Sequence, residues 1–590
     1  MPVHNSEIAS KLREIADLLE IQQANRFRIR AYHNAARTIE TWTTNLRDMV
    51  DQGQDLEEIP GVGQDIAAKV LQMVQSGKIT QLEELQEQLP SGLVELLGLE
   101  GLGPKRVQAL YQDLGVSSQK ELKQAALDHK IQELPGFGPV LEQKILKTIK
   151  NKSAKKQRVL KSDAQEVIEP LLAYLGQLKE VGQVAAAGSL RRKQETVGDV
   201  DLIATSTKGQ ETCRRFTEYE DVRRVISQGK TRSSVVLRTG LQVDLRVVSE
   251  DSFGSAMQYF TGSKAHNIKL RQRAIDQNCK LNEYGLFKVG GKSLSQKKKK
   301  EKKIAGASEK EIYQQLGLEY IEPELREGRG EIESAAENSL PNLIELKDVR
   351  GDLQLHTEAS DGENTLEEMV QAARKLGYHY LAVTDHSQNL KIANGLTAKR
   401  YRNQFKEINR LNQKYDDFTI FKAAEVDILA DGSLDLGEDF LSEFDLVLGS
   451  IHSHFKYDQA KQTKRVIKAM SNPYFNILAH PTGRLINQRQ GYSLNLPQVI
   501  EAAKKYGCVI EINAQPTRLD LDDLGVKMAK EAGVKLSIGT DAHGVRELSF
   551  MQHAVDQARR GWLEANDVIN TMGPQELLEY LQKIKEKTGD

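Results

Sequence analysis

Along the first 150 residues the apolar positions recur at helical spacing. Ile8, Leu12, Ile15, Leu18 and Leu19 mark one stripe, and short helices punctuated by glycine follow it. One turn pattern appears three times in this stretch, as Ile59-Pro-Gly-Val-Gly63, Leu99-Glu-Gly-Leu-Gly103 and Leu134-Pro-Gly-Phe-Gly138, each ahead of a helical run. From about residue 183 the period shortens to that of strands, in VAAAGS, DVDLIA, SVVLR and LQVDLRVV. A lysine run, KKKKEKK at 297–303, is predicted to top a hairpin, and the polar, aperiodic stretch 326–345 to be an interdomain linker. Beyond it, apolar strands near 351–356, 380–385, 419–427, 444–451, 475–480, 508–513 and 535–540 alternate with helical segments. Seven such units predict a barrel-like α/β domain with its functional residues at the strand C-termini.

The length of 590 residues suits several domains rather than one. No apolar run approaches a membrane span, and the first residues carry no basic-then-apolar leader. Cys213, Cys279 and Cys508 lie far apart, which excludes a disulfide scaffold or thiolate zinc finger and fits a cytoplasmic protein. The net charge of −1 conceals an asymmetry. Residues 1–330 hold 51 Lys+Arg against 44 Asp+Glu, the remainder 31 against 39, and eight of the twelve histidines lie at or beyond His356. A polyanion partner is expected for the first part and bound cations for the second.

The repeated glycine turn resembles the helix-hairpin-helix. Gly61, Gly63, Gly101, Gly103, Gly136 and Gly138 would let the backbone approach DNA phosphates without reading bases. Within Gly188-Ser-Leu-Arg-Arg-Lys-Gln-Glu-Thr-Val-Gly-Asp-Val-Asp201, a strand puts Asp199 and Asp201 on one face. Asp244 stands opposite Val243, Leu245 and Val247 on its own strand. Three convergent carboxylates can hold two divalent ions, Mg²⁺ or Mn²⁺. Near the later strand ends stand His356, Asp361, His386, Glu425, His452, His480, Asp541 and His543, a mixture that suits Mn²⁺, Zn²⁺ or Fe²⁺. His379 and His454 lie off this pattern and are read as structural.

These motifs resemble a bacterial family X DNA polymerase fused to a PHP (polymerase and histidinol phosphatase) domain. The resemblance implies a multidomain fold: an α-helical helix-hairpin-helix N-terminal part, an α+β nucleotidyltransferase palm and thumb, and a (β/α)7 barrel-like C-terminal domain. Its expected boundaries are a lyase-like domain over 1–85, a fingers-like domain over 86–155, palm over 156–260, thumb over 261–325 and PHP domain over 346–590. It implies that Gly188, Ser189, Arg192 and Gly198 bind the triphosphate, and that Asp199, Asp201 and Asp244 hold the metals. Tyr259, Phe260 and Gly262 would form the turn beneath the incoming sugar, with Asn267 and Arg271 near the nascent base pair. Around the first hairpin, Lys69 matches the family's Schiff-base lysine, although Asp65 stands one turn before it; contact with a phosphate is the alternative. The lysine run is either a solvated loop or a further phosphate contact.

The implied activity is gap-filling DNA synthesis on primer-template DNA from deoxynucleoside triphosphates by a monomeric enzyme, without a membrane. The C-terminal domain implies a 3′→5′ exonuclease using up to three ions, with 3′-end or abasic-site processing. One position departs from the family: Asp352-Leu-Gln-Leu-His-Thr357 carries Gln354 where the pattern has a first histidine. An amide oxygen is a weak ligand, so one metal site is expected to be weakened. The alternatives are a polymerase whose C-terminal domain is mainly structural, a non-catalytic DNA-end scaffold and a small-molecule phosphatase.

Overall fold

In a computed structural model of the chain the elements alternate as the pattern predicts. The structure describes residues 5–587 except 41–45, 52, 91, 98, 100, 101, 135, 140, 144, 147–157 and 290–300. The chain divides into two compact units. The first holds residues up to Arg158 with 218–224 and 236–240, and the second holds the remainder.

The first unit is helical, and Ile8, Leu12, Ile15 and Leu18 of its opening helix, Asn5–Ile21, are fully buried in its core. Two of the hairpin glycines, Gly61 (φ +79°) and Gly136 (φ +83°), occupy the left-handed region that glycine enters without strain. Gly63 and Gly103 directly precede the helices Gln64–Ser76 and Pro104–Leu114 with no side-chain cap. The amides of Gln64, Asp65 and Lys105 thus have no capping side chain, while those of Ile66 and Arg106 donate to the glycine carbonyls at 2.9 Å. Gly101 lies outside the described residues.

A five-stranded sheet comes next along the chain. Its strands are β1 (Val181–Ala186), β2 (Asp199–Ser206), β3 (Val222–Gln228), β4 (Arg232–Leu237) and β5 (Gln242–Val248), in the order β1-β2-β5-β4-β3. Along β5 exposure alternates residue by residue: Val243, Leu245 and Val247 are buried, whereas Gln242, Asp244 and Arg246 are partly accessible. A three-stranded sheet follows, of β6 (Cys279–Asn282), β7 (Gly285–Val289) and β8 (Glu301–Ala305). Of the lysine run, Lys302 and Lys303 belong to β8, where Lys303 pairs with Asp251 at 2.7 Å, and 297–300 lie outside the described residues.

The expected linker is not a free tether. Residues Glu331–Ala336 form a helix, and Arg326 and Glu331 are fully buried. Arg326 donates to Glu309 at 2.6 Å, and His266 Nδ1 lies 2.8 Å from Glu331. This order comes from buried charges meeting their partners, which hydrophobic periodicity does not register.

Seven parallel strands then form one sheet in sequence order. They are β9 (Gly351–Leu355), β10 (Tyr380–Val383), β11 (Thr419–Asp427), β12 (Leu446–Ser450), β13 (Ile477–Leu478), β14 (Val509–Asn513) and β15 (Leu536–Gly539). An isolated parallel bridge between Leu355 and Ala542 joins the first strand to the chain leaving the last, so the strand C-termini nearly encircle one site. Most of these strands are buried along their whole length, as expected for a parallel sheet covered by helices. No described helix is long and apolar enough to cross a membrane.

Candidate active sites

The first site stands on two neighbouring strands. Asp201 on β2 lies directly across the parallel ladder from Asp244 on β5, and Asp199 shares the face of Asp201. Burial pushes the Asp201 carboxyl up, and the charges of Asp199 and Asp244 push it further, to about 6. A group in this state gains from a cation, so the donor set fits divalent metal.

The turn after β1 closes against these acids. Gly188 has φ +65°, which favours glycine, and a Cβ there would crowd Asp201 Oδ2 at 3.0 Å. Arg192 Nε donates to Glu327 at 3.0 Å, and another of its nitrogens donates to the Thr261 carbonyl. That carbonyl ends the helix Phe253–Thr261, which leads into Gly262 and Ser263, so the two nucleotide-binding segments inferred from sequence are tied together. Ser189 and Gly198 lie on the same connection between β1 and β2.

Asn267 is buried and its amide is used inside the protein: Nδ2 donates to the Tyr259 carbonyl at 2.7 Å, and Oδ1 accepts from Gln258 at 2.7 Å. It braces the end of that helix. Arg271 lies 5.8 Å from the Tyr259 ring centroid, and the Arg246 guanidinium 4.3 Å from that of Phe260.

In the first unit, Lys69 is ion-paired with Asp65, whose other oxygen accepts a hydrogen bond from Tyr32 at 3.0 Å. A neutral amine at Lys69 would have to give up this pair.

The second site lies at the strand C-termini of the barrel. Glu425 at its centre is fully buried and ringed by imidazoles. His480 Nε2 lies 2.9 Å from it, His356 Nε2 and His452 Nε2 each 3.3 Å, and His386 Nδ1 3.5 Å. His356 Nε2 also lies 3.2 Å from Asp541, and Asp361 lies 3.5 Å from His543 and 3.7 Å from His386. Three groupings bring ligand atoms close enough for one ion each: His356, Asp361, His386 and His543; His386, Glu425 and His452; and His356, Glu425 and Asp541. His386 Nδ1, 3.5 Å from Glu425, is buried without a hydrogen-bond partner, which adds to the fit with metal.

Comparison with known proteins gives matching family descriptions. A helix-hairpin-helix domain matches residues 3–79, a SAM-like helix-hairpin-helix tandem 93–151, a DNA polymerase beta thumb 256–327 and a PHP domain 352–515. A Bacillus subtilis protein, "DNA polymerase/3′-5′ exonuclease PolX", is 38% identical over 98% of this chain and all of its own length. The chain belongs to the bacterial family X DNA polymerases with a C-terminal PHP domain. A Thermoanaerobacter protein (strain X514) named "Probable phosphatase" is 31% identical over 40% of this chain and 96% of its own.

Within this PHP domain Gln354 occupies the departing position. Its Nε2 donates to Glu425 Oε2 at 3.0 Å, and its Oε1 is buried without a partner. Sequence reasoning missed several supports of the site. Asp427 Oδ1 lies 2.6 Å from His452 Nδ1. Burial alone would push His452 down, but Asp427 and Glu425 together raise it to about 9. Asp385 accepts from the Thr357 amide and hydroxyl at 2.8 and 2.6 Å, and Asp352 accepts from the Thr540 amide at 3.0 Å. For Asp427 a cue was present: it stands two residues beyond Glu425 on the same strand, hence on the same face. His454 stacks on Tyr457 at 5.0 Å and takes no part in the groupings.

Proposed function

We propose that this family X polymerase fills short DNA gaps from its first site and removes nucleotides from 3′ ends at its second. The observation that carries the first half is the Asp201–Asp244 pairing across parallel strands, with Gly188 pressed against Asp201. Divalent cations, Mg²⁺ or Mn²⁺, held by Asp199, Asp201 and Asp244 would supply positive charge at the attacking and leaving oxygens. Around them the protein positions the reactants. Ser189 and the glycine turn hold the triphosphate, Arg192 offsets its charge, and Asp244 helps take the proton of the primer 3′-hydroxyl. The Tyr259–Ser263 segment supports the incoming sugar, and the hairpin glycines hold the DNA backbone.

The second half rests on Glu425 and its ring of imidazoles. Mn²⁺, Zn²⁺ or Fe²⁺ held by His356, Asp361, His386, Glu425, His452, His480, Asp541 and His543 would supply Lewis acidity to a phosphodiester. The protein fixes the ligands: Asp427 orients the His452 ring, and Asp385 holds the loop after His356. One observation favours a weaker nuclease. The Gln354–Glu425 hydrogen bond occupies a carboxylate oxygen that a metal would otherwise use.

The test offers one preparation a gapped duplex and a small phosphomonoester such as histidinol phosphate. Extension of the primer with nucleotides, and its shortening with Mn²⁺ alone, support the reading. Cleavage of the phosphomonoester in preference to DNA ends overturns the nuclease half, and failure to extend overturns the polymerase half.

A further inference from the structure

The connection that carries Arg192 is held from behind by the C-terminal domain. Arg560, only 3% exposed, ends the helix Met551–Arg560 beyond the barrel's last strand. One of its nitrogens donates both to the Arg192 carbonyl at 2.6 Å and to Glu327 Oε1 at 3.0 Å. The same Glu327 oxygen accepts from Arg192 Nε at 3.0 Å and from Gln194 Nε2 at 2.7 Å. Arg560 is anchored in turn by Asp523.

A second contact lies one helical turn earlier, on the same helix face. Asp556 Oδ2 is 2.6 Å from Lys161 Nζ and 3.8 Å from Lys193 Nζ, and Lys193 adjoins Arg192. A third comes from the barrel loops, where Arg484 pairs with Glu195 at 2.7 Å. The segment 192–195 is therefore held at its main chain, at its arginine's counter-ion and at both flanking charges by residues of another domain.

We propose that the C-terminal domain completes the polymerase's nucleotide-binding turn, with Arg560 as a positioning residue for Arg192. This rests on the assignment of Arg192 to the triphosphate. Arg560 does two things there. It fixes the main chain from which Arg192 projects, and it shares the charge of Glu327, which would otherwise fall on Arg192 and compete with phosphate. The nuclease domain thus contributes to synthesis through the turn that carries Arg192.

The test uses the full chain and insertion of one nucleotide into a one-nucleotide gap, followed across nucleotide concentration. Arg192→Ala, Arg560→Met and Arg560→Lys are compared with the parent. Arg560→Met is expected to raise KM for the nucleotide about 10-fold, as for loss of one charge-assisted hydrogen bond, and to change kcat by no more than about 2-fold. Arg560→Lys should recover part of the loss, and Mn²⁺-dependent shortening of 3′ ends should be unaffected in both. A merely structural role would lower kcat and the shortening rate together while KM stays put; that result overturns the proposal. So does a raised KM in Arg192→Ala alongside an unchanged KM in Arg560→Met, which leaves the triphosphate assignment standing. An unchanged KM in Arg192→Ala removes that assignment and the proposal with it.

Discussion

Gln354 donates a 3.0 Å hydrogen bond to Glu425, the carboxylate on which four imidazoles of the barrel converge. The amide thus sits among the proposed metal ligands while offering that carboxylate a donor instead of offering metal an imidazole. Replacing it should release the carboxylate oxygen and add a nitrogen ligand. Gln354→His is expected to tighten Mn²⁺ binding on the order of 10-fold, with a matching rise in 3′-end shortening at limiting metal. Calorimetric titration and a nuclease time course read the two effects. Unchanged affinity and rate would mean that position 354 does not reach the ion.

Asp427 acts through His452. Asp427→Asn keeps the shape and removes the charge that fixes the ring at 2.6 Å. Metal affinity or nuclease rate should fall by about 10–100-fold while primer extension is unchanged. Equal losses in both activities would instead mark Asp427 as a folding residue.

Glu309 links pH to stability. Burial would raise its carboxyl, but Arg326 and Arg191 overcome this and hold it at about 2, below the ordinary 4.5. Since the folded-state value is the lower one, the ionised form stabilises the fold above about 4.5, and that stabilisation is lost as pH falls toward about 2. Glu309→Gln leaves the fully buried Arg326 without its carboxylate and should cost roughly 3 kcal/mol near neutrality. Urea denaturation of parent and variant from pH 6 to about 2.5 tests the sign. The gap between them should close on the acid side; a gap of constant size would refute the assignment.

Lys69 is committed to Asp65 and lies within hydrogen-bonding reach of that residue's own carbonyl, at 3.1 Å. Borohydride trapping on DNA with a 5′-deoxyribose phosphate should therefore be weak in the parent and stronger in Asp65→Asn, and Lys69→Ala should abolish it. Trapping that survives Lys69→Ala would place any Schiff base on another lysine.

Much of this arrangement was legible in the chain. The two periodicities separated helical from strand regions, and all seven barrel strands fall where alternation predicts them. Asp199 and Asp201 could be placed on one face of their strand, and Asp244 opposite Val243, Leu245 and Val247 on its own, because strand parity is local information; Leu202 and Val243 are buried as that parity requires. The histidines were legible because each follows a strand. Longer-range pairing was not. The ordering of 326–345 depends on Arg326 meeting Glu309 and on Glu331 meeting His266, and nothing near either residue announces its partner. The same holds for Arg560 and Arg192, which are far apart in sequence and 2.6 Å apart in space. Asn267 adds a partner its motif did not announce: its amide is held by the Tyr259 carbonyl and by Gln258.

Two separable phosphodiester chemistries are proposed for one chain. The most direct test is a denaturing gel of a 5′-labelled primer on a gapped duplex with Mn²⁺, run without and then with nucleotides. It compares the parent, Asp199→Ala/Asp201→Ala and Glu425→Gln. The double variant should shorten the primer without extending it, and Glu425→Gln should extend it without shortening it. If either variant lost both activities while remaining folded, or if the double variant still extended primers, the assignment of two independent centres would be contradicted.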